Sequence, residues 1–336
     1  MEEKPMTVFK VAAAASFLAA TGVGATAAET MKFSYPVAEE STMGQTVNRF
    51  AELVDEKTDG TVTVRPFAQA QLGNEIQSIS SAQGGIVEAA VTTTAGLAAM
   101  VPEFDMFNLP FMFESYAQMD KVTRSDVSKE ILAKLEPNGI TGLCFWDYGF
   151  RNLTNNKRPV EKLADASGLR IRTIQNAVYI DSLKAMGINP TPLPFPETFT
   201  ALETGAIDGN EIADDVTRAA SFYEVQDYLT QTKHFTTLSV VYVSTKFWDK
   251  LDDAQKASVQ EACTEASDFN RQIIVDGEQG TLEFLQEQGM EVNEISADTL
   301  GEFHDAVSGV VGTVTGKLDP ALVEAFNVET EAAKAE

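Results

Sequence analysis

Arg151 and Arg172 stand in two short extended runs, GFRNLTN and GLRIRT, of a 336-residue chain with 50 acidic and 25 basic side chains. A net charge of −25 repels anions at long range. Such a protein binds an anion only through cations held in place, and a guanidinium offers a carboxylate a rigid, permanently charged fork. In GLRIRT, Leu169 and Ile171 face one side of the strand, Arg170 and Arg172 the other. Spacing alone also allows both arginines to be solvated strand residues. The apolar neighbours and the choice of Arg over Lys tilt the reading toward a planar acceptor.

The other chemistry-bearing residues argue against catalysis. His234 and His304 are the only histidines, and neither has metal-ligand spacing to Cys144 or Cys263. No GxSxG motif is present, so a hydrolytic triad is hard to build. The expectation is a binding protein without a cofactor. An enzyme would have to draw its acid or base from Glu197, Glu211, Asp214 or His234. Cys144 lies in GLCFW and Cys263 in ASVQEACTEA, and both read as small buried residues. An oxidising compartment would permit a disulfide, but the sequence does not show that the two meet.

After Lys10 comes VAAAASFLAATGVGA, too short to span a bilayer and followed by small Ala25-Thr26-Ala27. This is the layout of a secretory signal peptide over residues 1–28, cleaved after Ala27 or Ala28. Glu2 and Glu3 suit such a leader poorly, and Met6 makes the better start. The part from Glu29 onward is long enough for two domains with proper cores. Its charge speaks against nucleic acid and anionic membranes as partners.

That part alternates strand and helix signals. MKFSYPV reads as a strand, 46–58 as an amphipathic helix stopped by Asp59-Gly60, and TVTVRPF as a second strand. A helix opened by Gln71-Leu72-Gly73 ends at Gly84-Gly85, and IVEAAVTTT forms a third strand running into Thr93 and Thr94. The alternation resumes with GLRIRTI, a helix over 178–186 and INPTPLP, and helical periodicity dominates 252–288. Repeated strand–helix–strand units imply parallel pairing and an α/β fold. Ligands of open α/β sheets sit beyond the carboxyl ends of strands. Thr93, Thr94, Arg151, Arg172, Asn210 and Glu211 fall at or just past such ends. Two α/β lobes with a helical C-terminal third suit a hinged cleft binder. Asp214 and Asp215 read first as the acidic opening turn of a helix.

Several separated motifs occur in one order: QLG at 71–73, Pro-Glu-Phe at 102–104, Leu-Pro-Phe at 109–111, GFRNLTN, GLRIRT, NAVYIDSLKAMGINPTP, PFPETFTALETGAIDGNE, FYEVQDYLTQTKHF and STKFWDKLDDAQK. Together they resemble the extracytoplasmic solute receptors of tripartite ATP-independent periplasmic (TRAP) transporters across nearly the whole chain after the leader. The resemblance implies a two-lobe, Venus-flytrap periplasmic-binding-protein fold with a hinge, each lobe a mixed sheet flanked by helices. It divides the chain into lobe I, 29–148 plus 238–278, and lobe II, 149–237 plus 279–336. It implies a monomeric receptor that captures a small organic acid and delivers it to sodium-driven integral membrane subunits. Arg172 becomes the carboxylate clamp and Arg151 a second cation. Thr93, Thr94, Asn176 and Asn210 become hydrogen-bond partners and Phe195 an apolar wall, with Glu211 beside them. So many hydroxyl and amide groups favour a hydroxylated carboxylate or sugar acid. Where the family usually carries Asn, this chain has Ile212, which donates no hydrogen bond. Three alternatives stay open: a secreted enzyme on a similar fold, a receptor for a zwitterion such as ectoine, with Glu39, Glu40 or Asp214 taking its cationic end, and a co-receptor that presents ligand to a signalling partner.

Overall fold

The computed structural model describes residues 1–2 and 28–334, so nearly all of the leader read over residues 1–28 lies outside the described residues. Nine strands form one mixed sheet: β1 Glu29–Ser34, β2 Val62–Phe67, β3 Ala89–Thr93, β4 Ile140–Asn155, β5 Arg170–Thr173, β6 Asn189–Pro192, β7 Gly209–Ala213, β8 Tyr228–Ser244 and β9 Glu291–Glu294. The order is β2-β1-β3-β8-β4-β7-β5-β6, with β9 also paired to β8.

The expected strands and helices form where the period of the sequence places them. In β1, Met31 and Phe33 are fully buried against Phe50 and Val54 of the helix Thr42–Lys57. Ser41 caps that helix by accepting the Gly44 N–H, so the helix begins four residues ahead of the expected start. Asn74 and Gln77 form a reciprocal capping box on the helix Glu75–Gly84, which ends at Gly85 with φ 74°. The region 252–288 is a helix from Asp253 to Glu287. Parallel pairing holds between β1 and both β2 and β3, and between β5 and both β6 and β7.

The middle of the sheet is different. β4 and β8, 16 and 17 residues long, run antiparallel from Ile140↔Ser244 to Asn155↔Tyr228 and cross the whole molecule. β3 lies on one end of this pair and β7 on the other, so the two expected sheets are parts of one continuous sheet. The register of β4 on β8 shifts between Asp147 and Phe150. Gly149 sits there at φ 95°, a conformation that favours glycine.

Cys144 and Cys263 are joined in a disulfide with their Cα atoms 6.0 Å apart. Both are buried, as read, and the pairing the sequence left open is made: β4 turns Cys144 toward the helix Asp253–Glu287, whose inner face carries Cys263. Among the described residues no helix is long and apolar enough to cross a membrane.

Candidate functional site

β7 lies between β4 and β5 and sets the two arginines beside each other, with Arg151 opposite Ala213 and Arg172 opposite Asn210. Both side chains are buried, yet their surroundings differ. Arg151 donates from Nε to Glu211 Oε2 at 2.5 Å and from Nη2 to Oε1 at 2.8 Å. Its Nη2 also reaches the Glu211 carbonyl, and its Nη1 donates to Thr237 Oγ1 at 2.7 Å. The Tyr179 ring covers it at 5.3 Å. Glu211 accepts one more hydrogen bond, from the Thr173 hydroxyl at 2.6 Å. This pair is complete in itself.

Arg172 has no such partner. Its Nε and Nη2 donate to the Leu193 carbonyl at 3.1 and 2.9 Å, and its guanidinium lies 5.8 Å from the Phe195 ring centre. Among the described residues it forms no ion pair with a carboxylate. Burial, then the neighbouring Arg151 charge, lowers its pKa to about 10, which leaves it cationic at neutral pH. A buried cation without a counterion costs free energy unless an anion arrives.

The two guanidinium groups line a cavity of about 40 Å³ with Glu75, Thr93, Tyr148, Thr237, Phe195 and Ile212. It continues past Pro36, Glu75, Arg172, Ile174 and Phe195 into a wider space of about 270 Å³. Glu75 opens its helix and accepts from the Thr93 N–H at 2.7 Å and the Thr93 hydroxyl at 3.2 Å. Burial pushes its carboxyl up, against the pull of those bonds and of the two arginines. The Tyr148 hydroxyl and both amide atoms of Asn210 are buried without a partner among the described residues. Such groups are rare unless something binds them. Ile212 forms an apolar wall.

Arg151, Arg172, Thr93 and Phe195 therefore meet at one cavity, with Glu211 behind Arg151 and Asn210 on the strand beside Arg172. Four expected residues are placed elsewhere. The Thr94 hydroxyl donates inward to Asn108 Oδ1 at 2.7 Å and to the Leu238 carbonyl, because Thr94 begins a buried helical turn. Asn176 caps the helix Ala177–Ala185 and donates to Asp105 Oδ1 at 2.8 Å. Glu39 is exposed in the loop after β1. Asp214 lies in a neighbouring pocket of about 420 Å³, where Asn152 and Gln231 donate to its carboxylate. His234 is fully buried, bonded to the Thr232 hydroxyl, and burial lowers its pKa to about 4, so the ring is neutral. Glu75 and Tyr148 escape the sequence reading. Glu75 looks like an ordinary acidic first-turn residue, and Tyr148 like one more member of an apolar strand.

A family profile described as "Bacterial extracellular solute-binding protein, family 7" matches residues 33–315. The 2,3-diketo-L-gulonate-binding periplasmic protein YiaO of Escherichia coli is 32% identical over 276 residues, 82% of this chain and 84% of that protein. The C4-dicarboxylate-binding periplasmic protein DctP of Rhodobacter capsulatus is 28% identical over 302 residues, 89% and 90% of the two chains. Among solved structures, the sugar acid binding protein DctPAm of Advenella mimigardefordensis, in complex with galactonate, superimposes with a TM-score of 0.88 at 34% identity. That match covers 91% of this chain and 99% of that one.

Proposed function

The chain belongs to family 7 of the bacterial extracellular solute-binding proteins, and on that premise we propose that it is a periplasmic receptor for a hydroxylated carboxylate or sugar acid. It would deliver this ligand to the membrane subunits of a sodium-driven TRAP transporter. The observation that carries the reading is Arg172, a buried guanidinium that faces the cavity and, among the described residues, forms no ion pair with a carboxylate. The ligand carboxylate completes that half-made pair. Arg151, held by Glu211, supplies a fixed positive wall. Glu75, Thr93, Tyr148 and Asn210 accept or donate to ligand hydroxyls, and Phe195 and Ile212 pack on its carbon chain. YiaO and DctPAm, whose names specify sugar-derived acids, support this class. Glu39 is exposed in the loop after β1, and Glu40 and Asp214 line a neighbouring pocket, which speaks against these three as anchors for a zwitterion's cationic end.

The leader over residues 1–28 would export the chain, which acts as a monomer. The two lobes, 29–148 plus 238–278 and 149–237 plus 279–336, would hinge where β4 loses register on β8 around Gly149. The inner cavity of about 40 Å³ holds only a few water molecules, so a sugar acid enters after the lobes part. Closure then follows from tighter binding to the closed state.

Calorimetry with sugar acids tests the reading. One ligand per chain, a dissociation constant of about micromolar or tighter, and recovery of the ligand unchanged are expected. Absence of binding across sugar acids and simple hydroxy acids, or recovery of a converted product, would overturn it.

A further inference from the structure

We infer that Glu75 makes the cleft selective for monocarboxylic acids that carry a hydroxyl at the far end, and sets it against dicarboxylates of the same skeleton. The inference rests on the reading that Arg172 receives the ligand carboxylate. Four charged side chains meet at or just behind the cavity: Arg151, Arg172, Glu75 and Glu211. Arg151 and Glu211 cancel each other through their bidentate pair. Arg172 is cancelled by the first carboxylate of the ligand. Glu75 is then the one ionisable group of the four left over, and its ionised form, which the Thr93 donors and both arginines favour against burial, is an anion.

Its position is fixed. The Thr93 N–H and hydroxyl hold one carboxylate oxygen each, at 2.7 and 3.2 Å, and Thr93 itself is buried at the end of β3. A carboxylate has about four lone-pair sites, so Glu75 keeps acceptor capacity for a donor arriving in the cavity. A ligand hydroxyl supplies that donor. A second ligand carboxylate supplies none and meets a like charge after losing its water. The other groups lining the space shared with the wider opening are Pro36, Arg172, Ile174 and Phe195. Among these only Arg172 is a cation, and it is already engaged by the first carboxylate. A protein rejects a competitor by repulsion of this kind as effectively as it selects a partner by attraction.

Two pairs of acids isolate the effect, because each pair shares a skeleton and differs only in a terminal CH₂OH against a carboxylate: galactonate with galactarate, and erythronate with meso-tartrate. By calorimetry at neutral pH the wild-type protein should bind the monoacid of at least one pair roughly 100-fold more tightly than its diacid, since like charges in contact cost several kcal/mol. Glu75→Gln keeps an acceptor for the Thr93 N–H and removes the charge. It should weaken the monoacid a few-fold and strengthen the diacid at least about tenfold, so the two ligands move in opposite directions. A residue that merely supports the fold would weaken both. The wild-type comparison needs no variant, so a poorly folding Glu75→Gln does not remove the test. Diacid binding as tight as monoacid binding in the wild type, or an unchanged ratio in a folded Glu75→Gln, overturns the Glu75 inference and leaves the receptor reading standing. If none of the four acids binds, the hydroxy-acid reading falls and takes this inference with it.

Discussion

Arg151 and Glu211 close a bidentate ion pair inside the sheet, at 2.5 and 2.8 Å, with their side chains 2% and 0% exposed. β4 and β7 are paired here, so neither partner can swing out to meet water. The consequence reaches past the pair: with Arg151 neutralised, the attraction for an anionic ligand is concentrated on Arg172. The two arginines therefore do different work.

Arg151→Ala leaves Glu211 buried without its ion-pair partner, keeping the Thr173 hydroxyl bond, a neutral His234 at 3.8 Å and the longer-range attraction of Arg172. Removing one partner of a buried pair costs about 3–5 kcal/mol. We expect the urea midpoint to fall accordingly, before any ligand is added. Glu211→Gln, which keeps one acceptor for Arg151, should lose less. An Arg151→Ala protein that unfolds at the wild-type midpoint yet fails to bind would make Arg151 a direct ligand clamp instead.

Arg172→Ala has the opposite signature. It removes a buried cation that makes no ion pair in the empty protein and feels only the longer-range pull of Glu211 and Glu75, so unliganded stability should hold or rise slightly. Binding of the acid should weaken by about 3–5 kcal/mol, the range for truncating one side of a buried charge pair. Arg172→Lys should recover little, because an ammonium lacks the planar fork and would not reach the Leu193 carbonyl in the same geometry. A loss of less than about tenfold in calorimetry for Arg172→Ala would remove it from the role of principal clamp.

Asp214 gives the chain a pH dependence with a definite sign. Burial, outweighing the hydrogen bonds from Asn152 and Gln231 and aided by Glu278, raises its pKa to about 7, while Lys233 pulls it down. In the unfolded chain an aspartate ionises near ~3.9. The folded state thus holds an extra proton between those values, and stability falls as pH rises from about 4 to about 7. Glu75, Asp105 and Asp147 are also raised by burial and add to the same slope. The measurement is therefore a difference: melting curves of wild type and Asp214→Asn from pH 4 to pH 8. The variant should gain on the wild type by roughly 1–3 kcal/mol across that range. Parallel curves would mean that the carboxylate stays ionised and comfortable in its pocket.

What the sequence disclosed and what it withheld divide along a physical line. The alternation in GLRIRT and TVTVRPF, the periodicity of 252–288 and the glycine stops report local geometry, and each element formed within a few residues of its expected place. The antiparallel β4–β8 pair was not legible. Its buried residues run from Leu143 to Asn155 without a break, so no period distinguishes its faces, and its partner lies far along the chain. The arginines were legible as a type suited to anions. Their ranking, Arg172 as clamp and Arg151 as second cation, came from the family resemblance; its physical basis was not legible, because it depends on Glu211 lying one strand over, on the same face as Arg151. Thr94 and Asn176 spend their side-chain bonds on the fold for a related reason. A short polar residue at a strand end serves a helix start as readily as a ligand, and here both were taken by the fold.

The disulfide offers the last test, and it separates folding from binding. Cys144–Cys263 closes a span of 119 residues and joins the middle of β4 to the helix Asp253–Glu287. A cross-link over so long a loop restricts the unfolded chain strongly and contributes about 2–5 kcal/mol. Neither cysteine lines the arginine cavity, so the link should matter little to affinity. We expect the Cys144→Ser, Cys263→Ser double variant to lose that stability in urea while binding its acid within a few-fold of the wild type. Reduction of the wild-type protein should reproduce the variant's midpoint, and the same treatment should leave the variant unmoved. If the double variant kept full stability but lost affinity, the bond would instead be shaping the β4 segment around Tyr148 and Gly149, and the hinge placed there would depend on it.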